Sequence, residues 1–173
     1  WHLADVELPD YRNYWAFAVL ADVRNGYGFA GFDKGDPITP ISLPRGLPDD
    51  LSQGLRAPPD PDDEDYSRDQ IWLGNHSFSW VTLQELLAYD LDAPMTLRGM
   101  VSAESARRFR ETGEPPRSSV GWTRQPGFER IEWQEPIRDH ASLVVDLIDA
   151  LAGLGDPENV RIVFGFDECW RDL

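Results

Sequence analysis

The sequence contains one cysteine, Cys169, in 173 residues, and only one of its 16 basic residues is a lysine, Lys34. A single cysteine excludes an internal disulfide and a cysteine-rich zinc site, and it fits a reducing compartment. No apolar run approaches the length that a membrane-spanning helix needs, and the sequence has no signal-peptide pattern. These absences predict an intracellular protein that does not engage a membrane.

Positive charge is also scarce, because 31 acidic residues face 16 basic ones and the formal net charge is -15 at pH 7. Nucleic acids and anionic membranes are bound through positive fields that neutralise phosphate groups. The charge balance therefore argues against direct nucleic-acid binding. It remains compatible with capture of a small anion by a few local arginines.

The rest of the composition is that of a globular protein. Hydrophobic residues make up 41% of the chain and include seven tryptophans, eight phenylalanines and five tyrosines, which is enough to fill a core. A chain of this length is typical of a single domain, here residues 1–173. Residues 55–70 are rich in proline and acidic side chains, and we expect them to form a solvated surface excursion.

Local signals predict the main helices. Asn13 is expected to cap a first helix that runs through Val23 and ends at Asn25-Gly26. A capping box begins a second helix at residues 82–85, and residue 102 caps a third that ends at residue 113. The fourth helix has an apolar stripe, which we expect to pack on the strand at residues 160–166; it consists of Val144, Leu147, Ile148 and Leu151.

Alternating apolar residues predict strands at residues 128–133 and 160–166. Helices and strands that alternate with both hairpin-like and crossover connections favour the α+β class. The sequence therefore predicts one compact domain in which a mixed, mostly antiparallel sheet is packed by about four helices.

The segment ITPISLPRGLP, residues 38–48, contains a proline at every fourth position from residue 40. Proline excludes a helix interior and favours extended backbone in the residue before it. The segment should therefore be a stiff loop that presents Arg45 beside Gly46. A guanidinium group next to a small residue can bind phosphate through two N–H donors while the backbone also approaches.

Arginine recurs next to turn-forming residues elsewhere, at Arg24-Asn25 and before a glycine at Arg98. If their loops converge with that of Arg45, they form an anion site. The predicted ligand-binding residues are Arg24, Asn25, Arg45, His76, Trp80 and Arg98, with the histidine as a hydrogen-bond donor and the tryptophan as a stacking surface. The alternative is structural: arginines beside glycines also tie loops together through carbonyl groups and carboxylates. The sequence is compatible with both.

Catalytic patterns are missing. His2, His76 and His140 are scattered and no HExxH spacing occurs, while Ser77 and Ser79 lack the flanking glycines of a nucleophile elbow. The chain also lacks a Walker A or GxGxxG sequence. We therefore expect a binding protein without a cofactor or metal. A nucleotide hydrolase with Mg²⁺ bound by carboxylates is an alternative.

Five segments together resemble an uncharacterised family of phage and prophage proteins: RNYWAFAVLADVRNGYGFAG, PISLPRGLP, NHSFSWVTLQELL, TLRGMV and GDPENVRIVFGFD. They follow the family's order across nearly the whole chain. The resemblance implies a phage-encoded protein in the host cytoplasm, with one more strand ahead of Trp1. The chain departs from the family pattern at two positions. Phe78 stands where the family's His-Ser-His-Ser-Trp pattern has its second histidine, and Leu43 stands where relatives often have an acidic residue. The resemblance implies no specific activity.

The phage context and the arginines lead to the first functional hypothesis, capture of a small anionic, nucleotide-like ligand. A cyclic nucleotide or ADP-ribose derivative that serves as a host immune signal would fit, and the protein would then act in counter-defence. The second hypothesis is an acidic interaction protein that imitates the phosphates of DNA and inhibits a host defence complex. A homo-oligomer is compatible with either hypothesis.

Overall fold

The structure is a computed structural model that describes residues 13–27, 33–34, 36–51, 76–117 and 126–166. The elements in these ranges are, in order, α1 (Tyr14–Ala21), β1 (Asp33–Lys34), β2 (His76–Thr82), α2 (Leu83–Ala88), β3 (Pro94–Ser102), α3 (Ala103–Thr112), β4 (Phe128–Pro136), a 3-10 turn (Ile137–Asp139), α4 (Ser142–Leu151) and β5 (Arg161–Phe166). The predicted α+β class is confirmed. The acidic segment at residues 55–70 lies outside the described residues.

The strands within these ranges divide between two small antiparallel sheets. One sheet has the order β1-β3-β4, and the other pairs β2 with β5. Strands β3 and β4 pair along their whole lengths, from Pro94 opposite Pro136 to Ser102 opposite Phe128. Among the described residues, strand β5 therefore pairs with β2 in a second sheet and not with the strands of the larger one.

Helices α1, α2 and α3 begin where local signals predict. The Asn13 side chain accepts a hydrogen bond from the backbone N–H of Ala16 at 2.8 Å, and α1 starts at the next residue. The capping box at the start of α2 has both of its reciprocal hydrogen bonds. The Ser102 side chain accepts from the Ser105 N–H at the start of α3, and Gly113 ends this helix in the left-handed conformation with φ 73°. Each of these signals acts over a few residues, which explains why the sequence reveals them.

The end of α1 differs from the prediction. The helix ends at Ala21 because Asp22 adopts a left-handed conformation with φ 61° and serves as the C-cap. Val23 and Asn25 therefore lie in the turn that follows the helix. None of the helices in the described ranges has both the length and the apolar character that a bilayer crossing requires.

Helix α4 supplies a large part of the core. Val144, Leu147 and Leu151 on its predicted stripe are at most 5% exposed, and Ile148 packs against them at the edge. The most extensive contacts of α4 are with α1 and α2. The predicted burial of the stripe is thus confirmed. Phe166 of β5 belongs to the same core cluster, and Ile162 and Phe164 pack against that cluster.

Replacement of Leu147 by alanine should lower the free energy of unfolding by roughly 2–5 kcal/mol, because the side chain is buried and leaves a cavity. Leu154, which is 45% exposed, is the matched control. Leu154→Ala should cost less than about 0.5 kcal/mol. Denaturant unfolding of both variants measures the difference, and equal losses would contradict the packing described for α4.

Candidate functional site

Residues 36–51 pass alongside α1, β2 and α2 without forming a helix or strand, and we call this segment the proline strap. The backbone N–H of Ile41 donates to the Val19 carbonyl at 2.7 Å. The Tyr89 hydroxyl donates to the Thr39 carbonyl at 2.7 Å. Burial raises the pKa of Tyr89 to about 12, which keeps the phenol protonated, and able to donate this hydrogen bond, further into the alkaline range. The strap is therefore held from several sides, and its prolines limit its backbone freedom further.

Arg45 forms the densest set of contacts in the strap. Its Nη1 and Nη2 atoms donate to Oε2 and Oε1 of Glu85 at 3.0 and 2.6 Å. Nη1 also donates to the Trp80 carbonyl at 3.2 Å, and the Arg45 backbone N–H donates to Ser79 Oγ at 3.2 Å. The guanidinium carbon lies 4.8 Å from the centroid of the Trp80 ring. Arg45 is therefore held rigidly, and one end of its guanidinium group already binds a carboxylate.

Glu85 connects this arginine to helix α2. Its Oε2 atom accepts from the Thr82 backbone N–H at 2.9 Å within the capping box. Hydrogen bonds from the Arg45 guanidinium lower the pKa of Glu85, against the opposing effect of partial burial, and the Thr82 N–H lowers it further. The same pair raises the pKa of Arg45. One carboxylate thus fixes both the start of a helix and the position of the strap.

A second guanidinium group contacts the same indole ring. Arg161 on β5 lies 5.3 Å from the centroid of the Trp80 ring and forms an ion pair with Asp50 at the end of the strap. Its side chain is 10% exposed, compared with 27% for Arg45. Sequence reasoning missed Arg161, because its closeness to Trp80 depends on the pairing of β2 with β5, in which Arg161 lies opposite Thr82.

His76 lies away from this site. It is opposite Phe166, whereas Ser79 is opposite Phe164, so β2 contains one additional residue between these pairs. Side chains alternate along a strand, and this bulge therefore places His76 on the face of Phe166 and Trp80 on the other face. The His76 ring accordingly lies 6.0 Å from the Phe166 ring, centroid to centroid. The structure brings Trp80, but not His76, to Arg45.

Asn25 and Arg24 lie at the beginning of the strap. The Asn25 side chain donates to the Ile38 carbonyl at 2.6 Å and accepts from the Ile38 N–H at 3.0 Å. Its amide therefore satisfies both backbone groups of Ile38, as the backbone of a paired β-strand does. The Arg24 guanidinium lies 5.0 Å from the centroid of the Tyr14 ring. These contacts give both residues a role in fixing the connection between α1 and the strap.

Arg98 belongs to the other sheet. The structure places it within β3, with the following glycine, where the sequence suggested a turn. Its Nε atom donates to Glu132 on β4 at 2.6 Å, directly across the two strands. The three arginines of the predicted anion site therefore have partners on different elements: Arg24 on α1, Arg45 on β2 and α2, and Arg98 on β4.

Metal ligands are not assembled in the part of the chain that the structure describes. Within those residues, no group of three or more histidine, cysteine, aspartate or glutamate side chains is placed to hold an ion. The chemistry at Trp80 is therefore that of two cationic groups, an aromatic ring and the two carboxylates that pair with the cations.

We expect Glu85→Gln to cost about 0.5–1 kcal/mol at pH 7, which is the upper range for a partly exposed ion pair. Glutamine keeps an acceptor for the capping box but removes the charge. Because folding lowers the pKa of Glu85, its ion pair contributes fully above the unfolded-state pKa of about 4.3 and is lost as the pH falls through the folded-state value.

The difference in unfolding free energy between wild type and Glu85→Gln should therefore shrink between pH 7 and about pH 3. Glu111→Gln, on the exposed side of α3, is the control and should change the stability by less than about 0.5 kcal/mol at either pH. Urea unfolding across this pH range measures both, and a difference that grows in acid would contradict the role given to Glu85.

Comparisons with protein-family models, curated proteins and solved structures found no match for this chain. The best indication of function is therefore the geometry on the outer face of the β2–β5 sheet, which is the face that carries Trp80 and Arg161. Two guanidinium groups contact one indole ring there, and the proline strap holds the more exposed of the two in place.

Proposed function

We propose that the protein captures a small anionic, nucleotide-like ligand on the outer face of the β2–β5 sheet. Arg45 is the main anion contact, Arg161 adds positive charge, and Trp80 supplies an aromatic surface. The observation that carries this proposal is the arrangement of two guanidinium groups at 4.8 and 5.3 Å from the centroid of one indole ring. Aromatic rings and planar guanidinium groups are the groups with which proteins hold bases and phosphates.

Arg45 retains hydrogen-bonding capacity for such a ligand. A guanidinium group has five N–H donors. Three of them serve Glu85 and the Trp80 carbonyl. The two others, Nε–H and one Nη2–H, point along the same edge of the group and have no partner among the described residues. This edge matches the geometry with which arginine binds a phosphate through two parallel hydrogen bonds.

The surrounding contacts favour this use of the arginine. Ser79 and Glu85 hold Arg45 in one position, so a ligand need not order a flexible side chain on binding. The carboxylate of Glu85 has a second effect, because its negative charge repels an incoming anion. The site therefore combines a preformed donor edge with an opposing charge that lowers its affinity.

Within this proposal the ligand is a cyclic nucleotide or an ADP-ribose derivative, and capture sequesters a host immune signal in the host cytoplasm. The resemblance to phage proteins supports this setting. Capture alone requires no chemical step.

Glu85→Gln should raise the affinity for a phosphate-bearing ligand by about threefold to tenfold, which is the effect of removing one partly screened charge near the anion. Arg45→Lys should lower the affinity at least about tenfold, because an ammonium group lacks the planar fork. Isothermal titration with a panel of cyclic nucleotides and ADP-ribose derivatives measures both changes.

Arg98→Ala is the matched control, because it removes a paired arginine from the other sheet and should leave the affinity unchanged. Arg45→Ala is less informative, since it also removes the hydrogen bond to the Trp80 carbonyl and the ion pair with Glu85. Absence of heat with every ligand at protein concentrations well above micromolar would end the proposal. Weaker binding by Glu85→Gln would end the assignment of this site.

A second candidate function, an acidic inhibitor of a host defence complex, is favoured by the pairing of the arginines. Six described arginines form ion pairs with carboxylates, which neutralises them within the protein. The pairs are Arg45–Glu85, Arg98–Glu132, Arg108–Glu114, Arg110–Glu129, Arg138–Asp92 and Arg161–Asp50. The surplus of acidic residues over basic ones is then available to a basic surface on a partner.

If this second function holds, a host protein should be retained on the immobilised chain at about 50 mM salt and released at about 500 mM, where the screening length is only a few ångström. Glu85→Gln should leave this retention unchanged, because it alters one charge among many. Retention that persists at high salt would contradict charge imitation, and a nucleotide that copurifies with the chain would favour the first function.

A further inference from the structure

The bulge in β2 has chemical features of its own, outside the Trp80 site. Ser77 and Phe78 lie between the residues paired with Phe166 and Phe164, so two residues of β2 face one of β5. Ser77 has φ 51°, in the left-handed region that residues with a side chain rarely adopt. A strained backbone of this kind persists only where the surroundings determine it, and it occurs often at functional sites. Bulges likewise re-aim side chains next to active sites.

The side chain of Ser77 contacts a base. Its Oγ atom lies 2.9 Å from Nδ1 of His76, and both residues are partly exposed. The His76 ring rests against Phe166, which is buried and packs on Phe17 with ring centroids 4.6 Å apart. The imidazole therefore packs on its core side against the buried Phe166 ring. The Ser77 hydroxyl lies within hydrogen-bonding distance of its Nδ1 atom.

The proline strap braces the other side of the bulge. The backbone N–H of Gly46 donates to the Phe78 carbonyl at 2.9 Å. The backbone on both sides of Ser77 is thus held in place. Phe78 is hydrogen-bonded to the strap, and His76 packs against Phe166. A serine hydroxyl is a weak nucleophile that becomes reactive when a base lies within about 2.6–3.2 Å, and the His76–Ser77 distance falls in this range.

We propose that Ser77 and His76 form a nucleophile–base pair that reacts with small activated esters. Ser77 Oγ bonds to the ester carbonyl carbon while its proton passes to His76 Nδ1. The bond between that carbon and the alcohol oxygen breaks, and the alcohol leaves with the proton. Water, deprotonated by the same nitrogen, then attacks the acyl-serine, the carboxylic acid leaves, and Ser77 regains its proton.

This activity is independent of anion capture at Trp80, which lies on the other face of the β2–β5 sheet. Sequence motifs do not reveal the pair, because the serine lacks the flanking glycines of a nucleophile elbow. The signal is the conformation of the bulge, which places the hydroxyl of one residue against the imidazole of the residue before it.

A fluorophosphonate probe tests the proposal without knowledge of the natural ester, since it bonds covalently to activated serines with loss of fluoride. Peptide mass spectrometry of the labelled full chain should locate the probe on Ser77. Ser77→Gly should abolish this labelling while the melting temperature stays the same or rises, because glycine adopts a positive φ freely. That result separates loss of the hydroxyl from loss of the fold.

His76→Phe keeps an aromatic ring against Phe166 but removes the base, and it should slow the labelling at least tenfold. Ser105→Ala, at a partly exposed serine of α3, is the control and should be labelled at the rate of the wild type. Absence of labelling, labelling at other residues alone, or an unchanged rate in His76→Phe would each overturn the proposal.

Discussion

The bidentate ion pair between Arg45 and Glu85 joins the three parts of the molecule on which the Trp80 site depends. Glu85 belongs to the capping box of α2, Arg45 lies in the proline strap, and the guanidinium group also binds the Trp80 carbonyl of β2. Both side chains are partly exposed, so the pair itself contributes only about 1 kcal/mol or less to stability. Its importance is geometric, because it fixes the strap relative to β2 and thereby places Arg45 beside the indole ring.

Elements defined by local signals could be predicted from the sequence, and those defined by distant contacts could not. The caps of α1, α2 and α3 involve hydrogen bonds over three residues, and they occur where the pattern of residues indicated. The buried stripe of α4 follows from helical periodicity in the same way. The division of the strands into two sheets depends on which strand finds which partner across the chain. The glycine after Arg98 suggested a turn, although Met95, Leu97 and Val101 recur at alternate positions around it, as in the strand that the structure shows.

The candidate site shows the same limit at the level of single residues. The sequence suggested Arg45 and Trp80 as neighbours, and the structure places them together. It also suggested His76 as a neighbour, and on a regular strand residues 76 and 80 would share a face. One additional residue in β2 reverses that expectation. The sequence indicated neither the bulge nor the partner of Arg45, because the choice of Glu85 among 31 acidic residues is made by the fold.

The double role of Glu85 has a thermodynamic consequence for α2. The carboxylate that accepts from the Thr82 N–H also binds Arg45. Binding of an anion to Arg45 and fraying of the first turn of α2 are therefore linked equilibria. Linkage is reciprocal: an anion on the free edge of Arg45 that changes the strength of its pair with Glu85 must alter the opening of this turn by the same free energy with which the turn alters anion affinity. Amide hydrogen exchange in the first turn of α2 would thus report what happens at a site on a different element, without any label on the ligand.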